Sequence, residues 1–454
     1  MTNSDPVEDF FSGTEAIVNA TVPIVTHVSW KRGDEYFVVK ARLRLALQAA
    51  DFERRRFEWN NIVAETFYLS ETEKTPRDFV EAILAGRLIS PNGEYPFPAQ
   101  YGGTYAKQYL PLHPEGVEAQ TRTMVLQIRG DNQNFPMNYA PLDWELKAAN
   151  PPYDSLSELC LEYGMGALTE SVSLFEAIAT DVVAMDFNCR VVGEAIDLAV
   201  FAAVGLKEHD VSIGYRVYDR GKVIRREAVS GNQLTWSDAG KARRGSILID
   251  VPPAAVLHCY ASYRGVTYQH RWFNDPTIAQ NPRRATYERF DPDLETLRAM
   301  CVPKDLKFAR DLEAAVGSLL WMLGFSVIQL GSTKRLQDGP DLIATTPTEH
   351  YLVVECTTGQ VKGESKLERL VARAAAVRER LEQSNNRHLK VLPIMVTSMT
   401  RAEVAAGVLA AREHGVVVLS REDLFAALDR TLVLPQPDVL YAEGERSLAT
   451  PPSE

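Results

Sequence analysis

Apolar and polar residues alternate over much of the first 275 positions, and this period of two predicts β-strands. Between Ala16 and Leu47 two alternating runs flank the polar segment KRGDE, a pattern typical of a β-hairpin. From Met185 to Phe273 several short alternating runs follow one another with tight turns between them. Short strands at this spacing predict a central antiparallel β-sandwich.

Helical signals in this part of the chain are fewer. Residues 76–87 begin with proline and carry apolar residues at helical spacing, so they predict a short helix. Leucine and isoleucine recur at helical spacing over 154–182, which predicts a second helical segment. Residues 88–153 are rich in Pro, Gly, Asn and Tyr and indicate only short strands and long loops. The first part of the chain is therefore expected to be an α+β region.

After residue 305 apolar strands alternate with amphipathic helices. The first of these helices ends at Gly324, and a long helix rich in Ala, Leu, Arg and Glu follows the third strand. The complete order that the periodicity predicts is αβββαβαβα. Such an alternation predicts an α/β domain built on a mixed sheet.

Together these patterns predict that the 454 residues form a multidomain protein. An N-terminal α+β region is followed by a central antiparallel β-sandwich and a C-terminal α/β domain with a mixed sheet. The predicted bounds are 13–183 for the first, 184–275 for the second, 276–304 for a linker, 305–434 for the third and 435–454 for a tail.

Composition narrows the class of protein. Lys and Arg number 49 against 60 Asp and Glu, so the net charge is −11 and nucleic acid can bind only at a local basic patch. No segment reaches the roughly 18 apolar residues of a membrane helix, and the acidic N-terminus lacks the features of a signal peptide. The five cysteines are widely spaced without a CxxC pair, which is typical of reduced thiols. We therefore expect a cytoplasmic protein without a membrane partner.

Two carboxylates in the C-terminal part stand where a metal ion can bind. Asp341 begins one predicted strand after a Gly-Pro pair, and Glu355 lies near the end of the next apolar strand. If the two strands pair as a hairpin, the carboxylates lie side by side at one sheet edge and attract a hard divalent cation. The carbonyl of Cys356 is a third candidate ligand, and Glu313 on the preceding helix is an outer one. The alternatives are a strand-start cap for Asp341 and a buried ion pair with an arginine for Glu355.

These residues resemble the PD-(D/E)xK nuclease superfamily, and most closely its Mrr-type restriction endonuclease branch. The matching segments are LEAAVGSLLWMLGF with Glu313 at the acidic position, the strand GPDLIA with Asp341, and the apolar strand that ends at residues 355–357. The resemblance covers about residues 305–430. It implies a restriction-endonuclease-like αβββαβ fold, a Mg²⁺ or Mn²⁺ cofactor and hydrolysis of phosphodiester bonds in nucleic acid, above all DNA. It also implies a role in prokaryotic defence or restriction.

One position departs from the superfamily pattern. Thr357 takes the place of the lysine that positions or activates the attacking water in that family, and a threonine hydroxyl carries no positive charge. Two lysines follow, Lys362 in the predicted turn and Lys366 at the start of the next helix. Because related nucleases move this lysine onto that helix, Lys366 is the first candidate for the catalytic substitute and Lys362 the second.

The segment 362–390 carries eight basic residues against four acidic ones. On a helix, Lys366, Arg369 and Arg373 fall on one stripe beside the expected metal site. There they can bind phosphates of nucleic acid regardless of its sequence. The alternative is a solvated helix face with side-chain pairs at helical spacing.

The sequence leaves more than one function open. The first is a Mg²⁺-dependent endonuclease in which Asp341 and Glu355 hold the metal and a lysine stabilises the charge of the transition state. The second is a catalytically inactive protein with a nuclease fold that binds nucleic acid or has a regulatory role. In this case Thr357 indicates that catalytic activity has been lost. In a third, the first 300 residues carry the main function. In each, the N-terminal region is expected to bind a partner, either a second copy of the chain or another protein.

Overall fold

The structure is a computed structural model that describes residues 5–46, 53–100, 103–132, 135–136, 139–168, 171–180, 182–240, 242–303, 309–330, 338–359 and 366–449. Within these residues it has 23 strands and 12 α-helices, arranged in four larger sheets and one two-stranded sheet. The protein is therefore a mixed α/β, multidomain chain. Across the described ranges, no helix has both the length and the apolar character needed to span a membrane.

The first part of the chain forms a seven-stranded sheet and a small two-stranded one. Its strands are β1 (Val22–Arg32), β2 (Glu35–Ala46), β3 (Arg55–Trp59), β4 (Ile62–Tyr68), β5 (Arg87–Ser90), β6 (Gly93–Pro96), β7 (Ala106–Leu110), β8 (Met124–Arg129) and β9 (Leu174–Ala179). Its helices are α1 (Pro6–Thr14), α2 (Pro76–Leu84), α3 (Pro114–Glu118), α4 (Ala140–Lys147) and α5 (Leu156–Glu162). The order in the large sheet is β3-β4-β1-β2-β9-β8-β7, and β5 pairs with β6.

Three sequence predictions can be compared with this sheet. The hairpin is confirmed by β1 and β2, which pair antiparallel around a tight turn. The short helix is confirmed by α2, where Thr75 caps the helix and Pro76 opens it. The helical prediction for 154–182 is wrong in its second half, because β9 lies between β2 and β8 in the middle of the sheet. Its apolar residues are buried there by strand pairing, which overrides a helical spacing read locally.

The middle of the chain forms two antiparallel sheets. Its strands are β10 (Val183–Met185), β11 (Val191–Val192), β12 (Ala195–Ala203), β13 (Val211–Asp219), β14 (Lys222–Ser230), β15 (Thr235–Asp238), β16 (Ala242–Asp250), β17 (Val256–Tyr263) and β18 (Val266–Phe273). One sheet has the order β10-β12-β16-β15, with β11 beside β12, and the other has the order β14-β13-β17-β18. Alternate residues of both sheets are buried in the same apolar cluster, which extends into the N-terminal sheet.

The last part of the chain forms a five-stranded mixed sheet with helices on both faces. Its strands are β19 (Ser326–Gln329), β20 (Leu342–Thr345), β21 (Tyr351–Thr357), β22 (Val391–Thr397) and β23 (Val417–Leu419). Its helices are α8 (Ala309–Met322), α9 (Lys366–Gln383), α10 (Arg401–Glu413), α11 (Arg421–Arg430) and α12 (Pro437–Ala449). The strands lie in sequence order; β19, β20 and β21 pair antiparallel, whereas β21, β22 and β23 pair parallel. From α8 to α11 the predicted order of elements is confirmed.

Alternation along β21 separates the two faces of this sheet. Leu352, Val354 and Cys356 pack into the apolar cluster that contains α8 residues. Val353 packs instead with Leu370 and other α9 residues in a second cluster. Because side chains alternate between faces, Glu355 and Thr357 belong to the face covered by α9.

The segments predicted as linker and tail are folded against the C-terminal sheet. Residues 276–304 contain α6 (Pro282–Glu288) and α7 (Glu295–Cys301), and Asn281 donates to the carbonyls of Met322 and Thr431 at 3.0 and 2.7 Å. Buried Leu297 and Tyr441 place α7 and α12 in the apolar cluster of α8. The apolar positions in these polar-looking segments are few, which is why the sequence indicated no packing.

All five cysteines are reduced and buried. Cys160 lies in α5, Cys189 and Cys259 in the cluster of the middle sheets, and Cys301 and Cys356 in the cluster of the C-terminal sheet. Each main apolar cluster except the one under α9 therefore contains at least one thiol.

Candidate functional site

The pairing of β20 with β21 sets the position of the two candidate carboxylates. Leu342 is the register partner of Val354 in this antiparallel pair. Asp341 precedes the first residue and Glu355 follows the second, so both reach the same end of the hairpin. The structure thus brings together the two residues that the sequence paired.

Asp341 is held by the backbone of the neighbouring strand. Its Oδ2 accepts a hydrogen bond of 2.8 Å from the backbone N–H of Cys356. The carbonyl of Asp341 also accepts from the N–H of Leu330, at 3.0 Å. The carboxylate is therefore fixed in direction and keeps its second oxygen for another partner. A strand-end cap makes the same kind of contact, so this hydrogen bond is common to both interpretations of Asp341.

Glu355 is only 6% exposed and forms an ion pair with Arg373 of α9. The Nε of Arg373 also donates to the carbonyl of Asp338 at 2.9 Å. Burial, with the charge of Asp341, raises the pKa of Glu355 to about 7, although Arg373 and Lys366 lower it. The arginine pair considered for Glu355 from the sequence is present, and it lies inside the candidate site.

Glu313 on α8 belongs to the same group of charges. Burial raises its pKa, and the charge of Asp341 raises it further, while Arg310 and Lys366 lower it. The Asp341 charge thus acts on both Glu313 and Glu355. Such an arrangement favours a bound cation.

Lys366 begins α9, and its amine reaches the candidate site. Its Nζ donates to the carbonyl of Cys356 at 3.3 Å. Asp341 and Lys366 therefore contact the N–H and the C=O of the same residue. Thr357 is 6% exposed, and its hydroxyl accepts from the N–H of Gly359 at 3.2 Å. The structure places the Lys366 amine beside the end of β21; Lys362 lies outside the described residues.

The basic stripe of α9 is divided between two roles. Arg373 contacts Glu355 and the backbone before the β20 strand, as described above. Arg369 lies one turn nearer to Lys366 and is exposed. Of the three residues predicted to bind phosphates, Lys366 and Arg373 are thus engaged with the carboxylate site, and Arg369 faces solvent.

The donor set fits a hard divalent cation in part. Carboxylate oxygens of Asp341 and Glu355 and the carbonyl of Cys356 are ligands that Mg²⁺ and Mn²⁺ accept. In the described ranges no group of three or more His, Cys, Asp or Glu side chains has the geometry of a metal site. A metal at this position would displace Arg373 from Glu355 and Lys366 from the Cys356 carbonyl.

A second polar cluster, which no sequence pattern indicated, lies on the β14-β13-β17-β18 sheet. Arg216 Nη2 lies 2.6 Å from His258 Nδ1, and His258 Nε2 lies 3.0 Å from His270 Nδ1. These residues occupy the polar positions of alternating strands, where each looks like an ordinary surface residue. Only the strand register places them side by side.

No family model and no curated protein matches the chain. Among solved structures the chain is similar to the ectodomain of the polymeric Ig receptor of a teleost fish, with 7% identity over 56% of this chain and 84% of that chain and a TM-score of 0.17. A likeness at that TM-score carries no argument about fold or function.

Proposed function

We propose that the C-terminal part is a PD-(D/E)xK-type domain and that the protein is a metal-dependent nuclease acting on DNA. The observation that carries the proposal is the arrangement of Asp341, Glu355 and Lys366 around Cys356 at the end of the β20–β21 hairpin. The sequence resemblance and the order of elements support the same conclusion. A role in defence or restriction follows from the resemblance alone.

In this proposal each side chain has a separate task. Asp341 and Glu355 would hold Mg²⁺ or Mn²⁺, which would neutralise phosphate charge and lower the pKa of a bound water. Glu313 contributes further negative charge from α8. Lys366 orients the attacking water and stabilises the charge that develops on the phosphate. Arg369 contacts the backbone of the nucleic acid.

Plasmid cleavage in Mg²⁺ or Mn²⁺, with and without EDTA, tests the proposal. Asp341→Asn keeps an oxygen that can accept from the Cys356 N–H but removes the charge, so cleavage should fall below detection while the fold is retained. Asp338→Asn is the matched control, because Asp338 is exposed and lies three residues away. Wild-type cleavage by Asp341→Asn, or equal loss in both variants, would contradict the assignment.

A second function is favoured by the ion pair between Arg373 and Glu355. With Thr357 in place of the lysine, this pair neutralises one of the two metal ligands. The same surface would then bind nucleic acid without cutting it. Metal-independent DNA binding by a protein that cleaves in neither Mg²⁺ nor Mn²⁺ would support this alternative, and metal-dependent cleavage would exclude it.

A further inference from the structure

A row of basic and aromatic side chains crosses one face of the β14-β13-β17-β18 sheet. Arg226 is the register partner of Arg216, and Arg216 is also the partner of His258. His258 is in turn the partner of Trp272 on the last strand. We call these four residues the basic row. It lies on the face opposite the buried residues of β13, such as Ile213 and others in the apolar cluster.

The basic row forms one wall of a cavity of about 450 Å³. The opposite wall comes from α11, α12 and the residues between them, including Leu434 and Gln436. The two walls approach closely at the β13–β14 turn, where a Cβ on Gly221 would lie 2.7 Å from the carbonyl oxygen of Leu434. This volume falls within the range of small-molecule binding sites.

Hydrogen bonds fix the proton positions of the two histidines in this wall. An arginine only donates, so His258 Nδ1 accepts from Arg216 at 2.6 Å, and the Tyr260 hydroxyl, 2.9 Å from the same nitrogen, shares its single lone pair. His258 Nε2 then carries the hydrogen and donates to His270 Nδ1. The hydrogen of His270 consequently lies on its Nε2. Burial lowers the pKa of both histidines, and the Arg216 charge adds to this effect.

Two carboxylates also line the cavity, and within the described residues each is paired with an arginine outside the basic row. Glu443 is paired with Arg430 at 2.5 and 2.9 Å, and Asp429 with Arg298 at 3.4 Å. Within the described part of the chain neither Arg216 nor Arg226 forms an ion pair, and Arg216 Nε is buried without a hydrogen-bond partner. Two arginines directly opposite each other on paired strands destabilise the sheet. A buried unsatisfied donor adds a further cost.

We infer that this cavity binds a small phosphate-bearing ligand through Arg216 and Arg226, at a site separate from the proposed nuclease centre. Phosphate oxygens would satisfy Arg216 Nε and neutralise the cross-strand charge, because guanidinium groups bind phosphate through paired hydrogen bonds. The aromatic rings of Tyr218 and Trp272 border the same space. The ligand is therefore either a free phosphate compound or a nucleotide whose base contacts these rings.

Isothermal titration of the full chain with pyrophosphate and with ATP, both in EDTA, tests the inference. We expect saturable binding of one molecule per chain. Arg216→Gln should weaken binding of either probe by about tenfold or more, since a hydrogen bond to a charged group contributes roughly 1.5–3 kcal/mol. The affinity of Arg216→Lys should lie between those of the wild type and Arg216→Gln, because lysine keeps the positive charge but lacks the planar guanidinium group.

Arg264→Gln is the matched control. It removes one positive charge from the same sheet, but Arg264 lies in the β17–β18 turn and is paired with Asp210. ATP binding that is tighter than pyrophosphate binding, and that loses this advantage in Tyr218→Leu, would identify the nucleotide form of the ligand. Equal binding of the two probes would identify the free phosphate form. Absence of saturable binding, or equal affinity in wild type and Arg216→Gln, would overturn the inference.

Discussion

At the scale of single residues, Lys366 carries the clearest catalytic prediction. Lys366→Ala should lower the plasmid cleavage rate by about 10²-fold or more, as for other lost electrostatic groups, because the amine beside Cys356 is removed. Metal binding should survive, since both carboxylates remain. Cleavage rates and metal titrations measure the two effects separately.

Thr357→Lys in the Lys366→Ala background is the rescue experiment. Thr357 shares the sheet face of Glu355, so a lysine there should restore part of the activity. Normal cleavage by Lys366→Ala combined with loss in Lys362→Ala would instead identify the turn lysine as the substitute.

His258 gives a prediction about pH. Burial, His270 and Arg216 lower its folded pKa to about 3 from 6.5. Because the unfolded chain takes up the proton first, His258 should destabilise the fold as the pH falls below 6.5, by about 1.4 kcal/mol per pH unit. NMR of labelled histidine should show His258 neutral down to pH 5, and His258→Gln should lose this part of the pH dependence. Protonation of His258 above pH 5 would contradict the prediction.

Some of the residue contacts could be predicted from the sequence and others could not. Asp341 and Glu355 could be paired from sequence because their strands are consecutive, so one hairpin fixes their relation. Arg373 could not be assigned to Glu355, because the partner of a helical arginine depends on how the helix lies on the sheet. Arg216 and His258 are 42 residues apart and meet only through strand register.

At the scale of elements, α9 divides its basic residues between the carboxylate site and solvent. Arg369 is exposed beside Lys366, whereas Arg380 is exposed eleven residues further along the helix. If DNA crosses the site, Arg369→Ala should reduce the slope of log K against log salt by about one, whatever the DNA sequence. Arg380→Ala is the matched control, some 16 Å away at 1.5 Å per residue. Equal slopes for both variants would place the DNA elsewhere.

Some elements could be predicted from the sequence and others could not, for a physical reason. The C-terminal order followed from the alternation of strands with long helices, which is a strong signal. The middle strands followed from period two and tight turns. In contrast, β9 carries a helix-like spacing, and α12 carries few apolar residues, so their states depend on packing partners that no local pattern reveals.

At the scale of the whole molecule, the apolar core of the C-terminal part includes residues from outside its nine predicted elements. Helix α7 contributes Leu297 and Cys301 to its core, α12 contributes Tyr441, and α6 packs the partly buried Tyr287 against it. Burial of each large apolar side chain is worth roughly 1.5–3 kcal/mol. A fragment of residues 276–449 should therefore unfold cooperatively and at a higher temperature than one of residues 305–434, as read by circular dichroism. Equal midpoints would show that the added helices do not contribute.

Contacts also join the N-terminal part of the chain to the C-terminal part. Arg421 of α11 pairs with Glu118 of α3 at 3.0 Å, and Asp429 accepts from Gln120. An ion pair contributes little to the free energy of unfolding when it is exposed and more when it is partly buried, as Arg421 and Glu118 are. The fragment of residues 276–449 should thus be less stable than the same part within the full chain.

The five buried thiols can be used to measure local opening of the protein. A thiol reagent modifies a buried cysteine only when that region opens, so its reaction rate measures the opening free energy there. Cys356 would report on the proposed nuclease centre, Cys259 on the sheet of the basic row and Cys160 on the N-terminal part. Mass spectrometry of each labelled peptide gives these rates without any engineered probe. It would show whether pyrophosphate slows the labelling of Cys259 more than that of Cys356.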